Sequence, residues 1–332
     1  MKFINIQNNL GIPKYKQIIY SIEKTIVKGL LKKDDKLPSI NKVCLEFSIS
    51  RDTVLLAYEE LKKRGIIYSI LGKGYYIKTI EVKVKKRIFL LFDELNIFKE
   101  DLYNSFIENI GMNTQVDIFF HHFNLQVFQK LINDSNGNYT KYIIMPTNLD
   151  GAAAIIKTLP VDDVYILDQT NNELKSFPAV YQNHKKDIYY GLERGKTKLN
   201  KYEKLNMIFP GFREPIGMKI GFKKFCKDFG FNHTVYTEFK DQKIKKGEVY
   251  IIPDDRDLVK VIEKSKLQNF ILGVDFGIIS YNETPLKKVV ENGITTISTD
   301  FVAMGKILAQ MILNGKKDQI ENKSNLIIRQ SL

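Results

Sequence analysis

Between Ile12 and Ile77 three short helical periods follow one another and end in a glycine-punctuated hairpin, an order that few folds satisfy. "IPKYKQIIYSIEKTIVKGLL" opens on proline, a favoured first-turn residue. It repeats apolar positions at Tyr15, Ile18, Ile19, Ile22, Ile26 and Val27, and Gly29 marks its end. Ser39 is placed to cap a second helix, "INKVCLEF", and after the turn "SIS" Ser50 is placed to cap a third. In that third helix Val54, Ala57, Tyr58 and Leu61 form one apolar stripe. Arg51, Asp52, Thr53 and Leu56 are left off the packed face, and Gly65 stops the helix. "IIYSI" and "YYIKTI" then alternate around "LGKG", a hairpin signal. Three helices and a two-stranded wing predict a winged helix-turn-helix over residues 1–78.

The segment 79–86, "TIEVKVKK", loses helical periodicity and becomes charged, as a linker would. From Arg87 the pattern changes to short apolar runs: "RIFLLFD", "VDIFFHHF", "KYIIMP", "DVYILDQ", "LNMIFPG", "TVYTEF", "EVYIIPD" and "FGIISYN". Helix-period stretches intervene at residues 102–110, 152–158, 188–199, 216–229 and 301–313. Strands buried on both faces and joined by helices make parallel βαβ layers, and so many strands predict two similar lobes over residues 87–332. The fold class expected is α/β, a winged head followed by a two-lobed parallel body.

Charge separates the same two parts. Residues 1–86 carry 18 Lys and Arg against 8 Asp and Glu, while the other 246 residues carry 33 against 30. A basic head on a near-neutral body points to a polyanion partner, with phosphate neutralisation supplying salt-dependent affinity. The longest apolar runs fall far short of the ~20 residues of a membrane helix. The N-terminus lacks the apolar core of a signal peptide, so cytoplasmic residence is expected. Cys44 and Cys226 each sit in a helical apolar pattern and read as buried free thiols. His121, His122, His184 and His233 show no metal-ligand spacing, and neither a metal nor a cofactor is expected.

Leu37-Pro38-Ser39, Ser50-Arg51-Asp52-Thr53-Val54, Leu61, Gly65 and Gly72-Lys73-Gly74-Tyr75 together resemble the DNA-binding head of the GntR family of bacterial transcription regulators, over residues 12–78. Asn41 is a departure, because many members have an arginine there that contacts DNA. The remainder resembles the LacI-type effector domain, which has the fold of periplasmic sugar-binding proteins. The resemblance is best at the end, in "DFGIISYNETPLKKVVENGITTISTDFVAMGKILAQMILNG" and "NLIIRQSL". A GntR head on a LacI-like body is the arabinose-repressor-type architecture. It implies a transcription regulator, a repressor by that resemblance although the residues leave the sign of regulation open, that binds operator DNA as a dimer and responds to a small molecule, with carbohydrate sensing the leading expectation.

In the head, Arg51 is the first choice for base readout, since arginine can take guanine O6 and N7 together; the alternatives are a phosphate contact or an ion pair with Asp52 or Glu23. Ser39, Ser50 and Thr53 are placed to position phosphates from helix ends, or to serve only as caps. Lys73, Gly74 and Tyr75 of the wing are placed to border the minor groove. In the body, ligands of α/β folds bind at the carboxyl ends of strands, which brings forward Phe98, His122, Asp168, Asn183, Arg213, Asn282 and Glu283. Met218 stands near where relatives often place a sugar-binding arginine. A different outcome, also known behind GntR heads, is a pyridoxal-phosphate aminotransferase body. It would be longer and needs a Schiff-base lysine with an aspartate partner, and no such constellation occurs, nor a phosphate loop or "GxSxG" turn, so no enzyme is expected.

Overall fold

The computed structural model describes residues 3–7, 12–81, 86–240 and 242–332. The head consists of α1 (Lys14–Val27), α2 (Ile40–Phe47), α3 (Arg51–Lys63), β1 (Ile67–Ile70) and β2 (Gly74–Ile77). Its core is the one the periodicity marks: Ile18, Ile22, Val54, Ala57, Tyr58 and Leu61 are fully buried, whereas Val27 lies exposed past the stripe. Gly29 adopts φ 70°, and its left-handed turn brings Leu30 N–H back to the Thr25 carbonyl, closing α1. β1 and β2 pair antiparallel from Ile67–Ile77 to Ile70–Gly74. Of the expected linker 79–86, residues 82–85 lie outside the described residues, and Lys86 already begins the first strand of the body.

The first lobe runs β3 (Lys86–Phe92), α4 (Ile97–Ile110), β4 (Thr114–Phe120), α5 (Leu125–Ser135), β5 (Lys141–Ile144), α6 (Ala152–Ile156), β6 (Val164–Asp168) and β7 (Ala179–Tyr181). The chain then crosses to the second lobe. There it runs α7 (His184–Arg194), α8 (Lys196–Leu199), β8 (Lys204–Ile208), α9 (Ile216–Phe229), β9 (Asn232–Tyr236), β10 (Glu248–Ile252), α10 (Asp255–Leu267), β11 (Gly277–Tyr281), α11 (Pro285–Val289) and β12 (Thr295–Thr299). α12 (Phe301–Leu313) and β13 (Gln319–Glu321) return to the first lobe, and β14 (Ser324–Ile327) closes the second.

Each lobe is one six-stranded sheet, ordered β13-β7-β6-β5-β3-β4 and β14-β12-β11-β10-β8-β9. The internal order is the same in both, and all neighbours pair parallel except β14, which runs antiparallel to β12. All eight strands expected from the apolar runs are present, and α9 and α12 match their expected spans to the residue. β7, β13 and β14 are three to four residues long and carry too little pattern to be read ahead of the fold. The layered cores are separate: Phe92, Leu102, Phe106 and Met304 pack one face of the first sheet, and Met207, Met218, Phe222 and Phe225 one face of the second. Because the chain passes between lobes at β7–α7, β12–α12 and β13–β14, the carboxyl ends of both sheets face one another across a hinge. The head meets the first lobe through α1, where the Tyr20 hydroxyl donates to the Asp163 carboxylate at 3.3 Å.

Candidate nucleic-acid interface and ligand cleft

Both helices of the reading unit start as their serines dictate. Ser39 Oγ accepts from Lys42 N–H at 3.3 Å, and Ser50 Oγ accepts from Thr53 N–H at 3.3 Å while bonding the Thr53 hydroxyl at 2.7 Å. Ser48 takes a left-handed φ of 50° between the two helices, which turns α3 across α2. Tyr58 secures that crossing from inside, donating to the Pro38 carbonyl at 2.7 Å. Arg51 and Asp52 stand exposed at the first turn of α3.

Arg51 Nη1 donates to Asn41 Oδ1 at 2.8 Å. The partner is an amide, so the guanidinium is aimed without losing its charge. Glu23, one of the acids considered for it, pairs instead with Arg64. In the wing, Lys73 is exposed at the tip and Gly74 takes φ 115°. Tyr75 is partly spent on the core, its ring edge-on to Tyr58 at 4.9 Å.

Between the lobes lies a cavity of about 640 Å³, lined from the first lobe by the turns after β5 and β6 and from the second by the start of α7 and the β8–α9 turn. Its mouth is bridged. Arg213, after β8, pairs with Glu94, after β3, at 3.0 Å, and its guanidinium lies 5.1 Å from the centre of the Phe123 ring. Behind it sits a buried polar hinge. Gln182 donates its amide to Asp168, and Asp187 accepts from the Ser324 hydroxyl at 2.7 Å and the Tyr281 hydroxyl at 3.3 Å. Burial pushes the Asp187 carboxyl up to about 6, and burial holds the His184 imidazole below its ordinary value.

The structure distributes the seven expected ligand residues unevenly. Asn183 lines the cavity, where it caps α7 and donates to Glu321 at 3.0 Å. Asp168 is buried against the lining residue Gln182. Arg213 is occupied at the mouth. Phe98 does not line the cavity; it stacks on Phe301 at 4.8 Å, part of the first lobe's core. His122 is exposed beside Phe120. Asn282 holds a left-handed φ of 58°, and Glu283 forms a two-pronged ion pair with Arg329, both bonds 2.9 Å, so this pair braces the second lobe rather than lining the cavity. Met218 packs in the second lobe's core. The strand-end rule missed Thr170, Gln182, His184 and Lys185, all of which line the cavity. Three of them flank Asn183, the one residue named between β7 and α7. Cys226 is buried, and its thiol is pushed up to about 12, while Cys44 is half-buried.

The profile described as bacterial regulatory proteins, gntR family, matches residues 14–77. The HTH-type transcriptional repressor YtrA of Bacillus subtilis is 31% identical over 105 residues, 32% of this chain and 77% of YtrA. The chain belongs to the GntR family of bacterial regulatory proteins. The arabinose metabolism transcriptional repressor of Geobacillus stearothermophilus is 38% identical over 72 residues, 22% of this GntR protein and only 20% of that repressor. For the body, a periplasmic binding protein/LacI transcriptional regulator from Alkaliphilus metalliredigens QYMF, complexed with D-xylulofuranose, superposes with a TM-score of 0.58 at 14% identity. That likeness covers 74% of this chain and 98% of the other, and establishes the two-lobed fold. No described helix is long and apolar enough to cross a membrane.

Proposed function

We propose that this GntR protein is a cytoplasmic transcription regulator, acting as a repressor, that binds operator DNA as a homodimer and changes its DNA affinity when a small molecule occupies the cleft. The observation that carries the reading is the joining, in one chain, of a winged head with an aimed, uncompensated Arg51 to a two-lobed body whose cavity is lined from both lobes. Arg51 reads a base edge. Ser39, Ser50 and Thr53 present helix ends to phosphates, and Lys73, Gly74 and Tyr75 border the groove. One winged helix covers only a short half-site, so two-fold pairing, which spaces two readers by about 34 Å, supplies the rest. The ligand class suggested by the sugar-bound fold relative is a carbohydrate or a derivative of one, a size the cavity accommodates. Nothing in this reading calls for catalysis.

Footprinting of the purified protein on DNA upstream of its own gene tests the first half. A protected inverted repeat is expected, and uniform protection without sequence preference would reduce the protein to a nonspecific DNA binder. A thermal-shift screen against mono- and disaccharides and their derivatives tests the second, since a cleft ligand raises the melting temperature by mass action.

A further inference from the structure

α7 and α9 begin side by side at the cavity wall. Gly217 and Gly221 make this possible: a Cβ at Gly217 would come within 3.1 Å of the Lys185 nitrogen, and one at Gly221 within 2.3 Å of the Lys185 carbonyl oxygen. The two helix starts therefore lie backbone against backbone. Pro215 gives α9 no side-chain cap, and Asn183 serves only Lys186 N–H in α7. The N–H groups of His184, Lys185, Ile216 and Gly217 have no acceptor among the described residues. Each helix start carries roughly half a positive elementary charge, and here two coincide.

The side chains around this spot point the same way. His184 lines the cavity at 8% exposure, and neither ring nitrogen has a hydrogen-bond partner among the described residues. The ring is packed into the wall with its nitrogens still open to the cavity, so it is placed to give or take a hydrogen bond with a ligand there. The Thr170 hydroxyl, on the facing lobe, is buried without a partner among the described residues. Lys185 adds an exposed ammonium to the lining. The nearby acids do not oppose it equally. Glu214 is engaged in its own turn by Gly211 N–H at 2.9 Å, Asp168 is taken by Gln182, and Asp150 stands exposed on the other lobe.

We propose that the cleft takes an anionic small molecule, one bearing a phosphate or carboxylate, with the anion seated on the paired starts of α7 and α9 and held by Lys185, His184 and Thr170. The inference rests on the reading of the cleft as the effector site and names the chemical class of that effector. A neutral sugar could accept from these N–H groups through its hydroxyls but would leave the positive charge of the helix starts and the lysine uncompensated.

The test is calorimetry and thermal shift on the full-length protein with matched probes: pentoses, hexoses and disaccharides, their phosphate esters, the corresponding sugar acids, and inorganic phosphate. An anionic probe is expected to bind with its neutral counterpart at least tenfold weaker. Lys185→Gln, at an exposed position, should weaken that anionic probe about tenfold or more, and His184→Gln should weaken it also. Arg51→Ala, in the basic head, should leave it unchanged. The phosphate and acid arms separate the two sources of charge. Binding of a neutral sugar as tightly as its charged forms, unaffected by Lys185→Gln, overturns the inference and leaves the effector cleft standing. Anion binding lost in Arg51→Ala but kept in Lys185→Gln places the anion on the head and also overturns it. Binding of no probe, charged or neutral, removes both the inference and the effector reading beneath it.

Discussion

Arg51 of the third head helix is held by Asn41 of the second through a 2.8 Å hydrogen bond from guanidinium to amide. Asn41 stands where the family resemblance would place an arginine, and in this chain it serves as an aiming group for Arg51. Arg51→Ala is expected to lose about 1–3 kcal/mol of discrimination between operator and random DNA while nonspecific binding survives. Asn41→Asp should weaken binding to both, because a carboxylate in place of the amide neutralises the guanidinium. Titrations of cognate and scrambled duplexes check both. Equal losses on the two duplexes for Arg51→Ala would make Arg51 a phosphate contact.

Salt reports the rest of the head. The charge excess is concentrated in residues 1–86, and Lys73 is exposed at the wing tip. Operator affinity is expected to fall steeply with salt, and Lys73→Ala to reduce the slope of log affinity against log salt by about one, uniformly across sequences. An unchanged slope would take the wing tip off the DNA.

Glu283 and Arg329 each retain 18% side-chain exposure and bind through two 2.9 Å hydrogen bonds. Removing one partner leaves the other charge half-buried and unmatched. Glu283→Ala should therefore cost about 2 kcal/mol of stability and spare effector affinity in the variant that remains folded. Denaturant unfolding and probe calorimetry separate the two effects. Lost effector binding at unchanged stability would return Glu283 to the cleft.

Asp187 supplies a pH signature. Its carboxyl is raised from the ordinary 3.8 to about 6, mainly by burial. Between those values the folded chain keeps a proton that the unfolded chain releases. Stability from this group is thus complete below about pH 4 and is lost as pH rises through about 6. Asp187→Asn removes the buried charge and is expected to match or exceed wild type at pH 7.5, by up to about 2 kcal/mol, with the difference shrinking or reversing near pH 4. Urea unfolding at the two pH values measures it, and a variant equally weakened at both would show that the hydrogen bonds from Ser324 and Tyr281 outweigh the desolvation.

The head was legible in the sequence because its determinants are local. Ser39 and Ser50 cap helices three residues away, and Val54, Ala57, Tyr58 and Leu61 recur with the helical period. The two lobes were legible because strands buried on both faces read as unbroken apolar runs. The cleft was only half legible. Asn183 and Asp168 were named ahead of the fold, but His184 and Lys185 lie in the first turn of α7, one and two residues beyond Asn183, where a rule that stops at the strand end does not reach. Glu283 satisfied the same rule and is nonetheless claimed by Arg329, 46 residues further on, a partner that sequence spacing does not reveal. Gly217 and Gly221 carry no signal of their own in the sequence, and their role shows only when the backbone of α7 is laid against them.

In the proposed coupling, lobe closure is the step on which regulation turns, and Arg213 and Glu94 provide a handle on it. Their 3.0 Å ion pair spans the mouth from one lobe to the other, with side-chain exposures of 52% and 32%. At such exposure the pair contributes at most about 1 kcal/mol, so Arg213→Ala should leave global stability nearly unchanged. The same increment acts entirely on the balance between closed and open cleft, because the bond exists only when the lobes meet. A shift of about 1 kcal/mol is close to fivefold in that balance. The head is joined to the first lobe at β3 and touches it through Tyr20 and Asp163, so a change in lobe angle moves the head with it. If closure carries that coupling, affinities for effector and operator are linked reciprocally. Arg213→Ala should then lower effector affinity severalfold and blunt the effector's influence on operator binding by the same factor. Operator titrations with and without the probe that binds wild type, together with small-angle scattering of both proteins, check the expectation. A more open variant whose operator binding still responds fully to that probe would separate cleft closure from DNA affinity and sink the coupling.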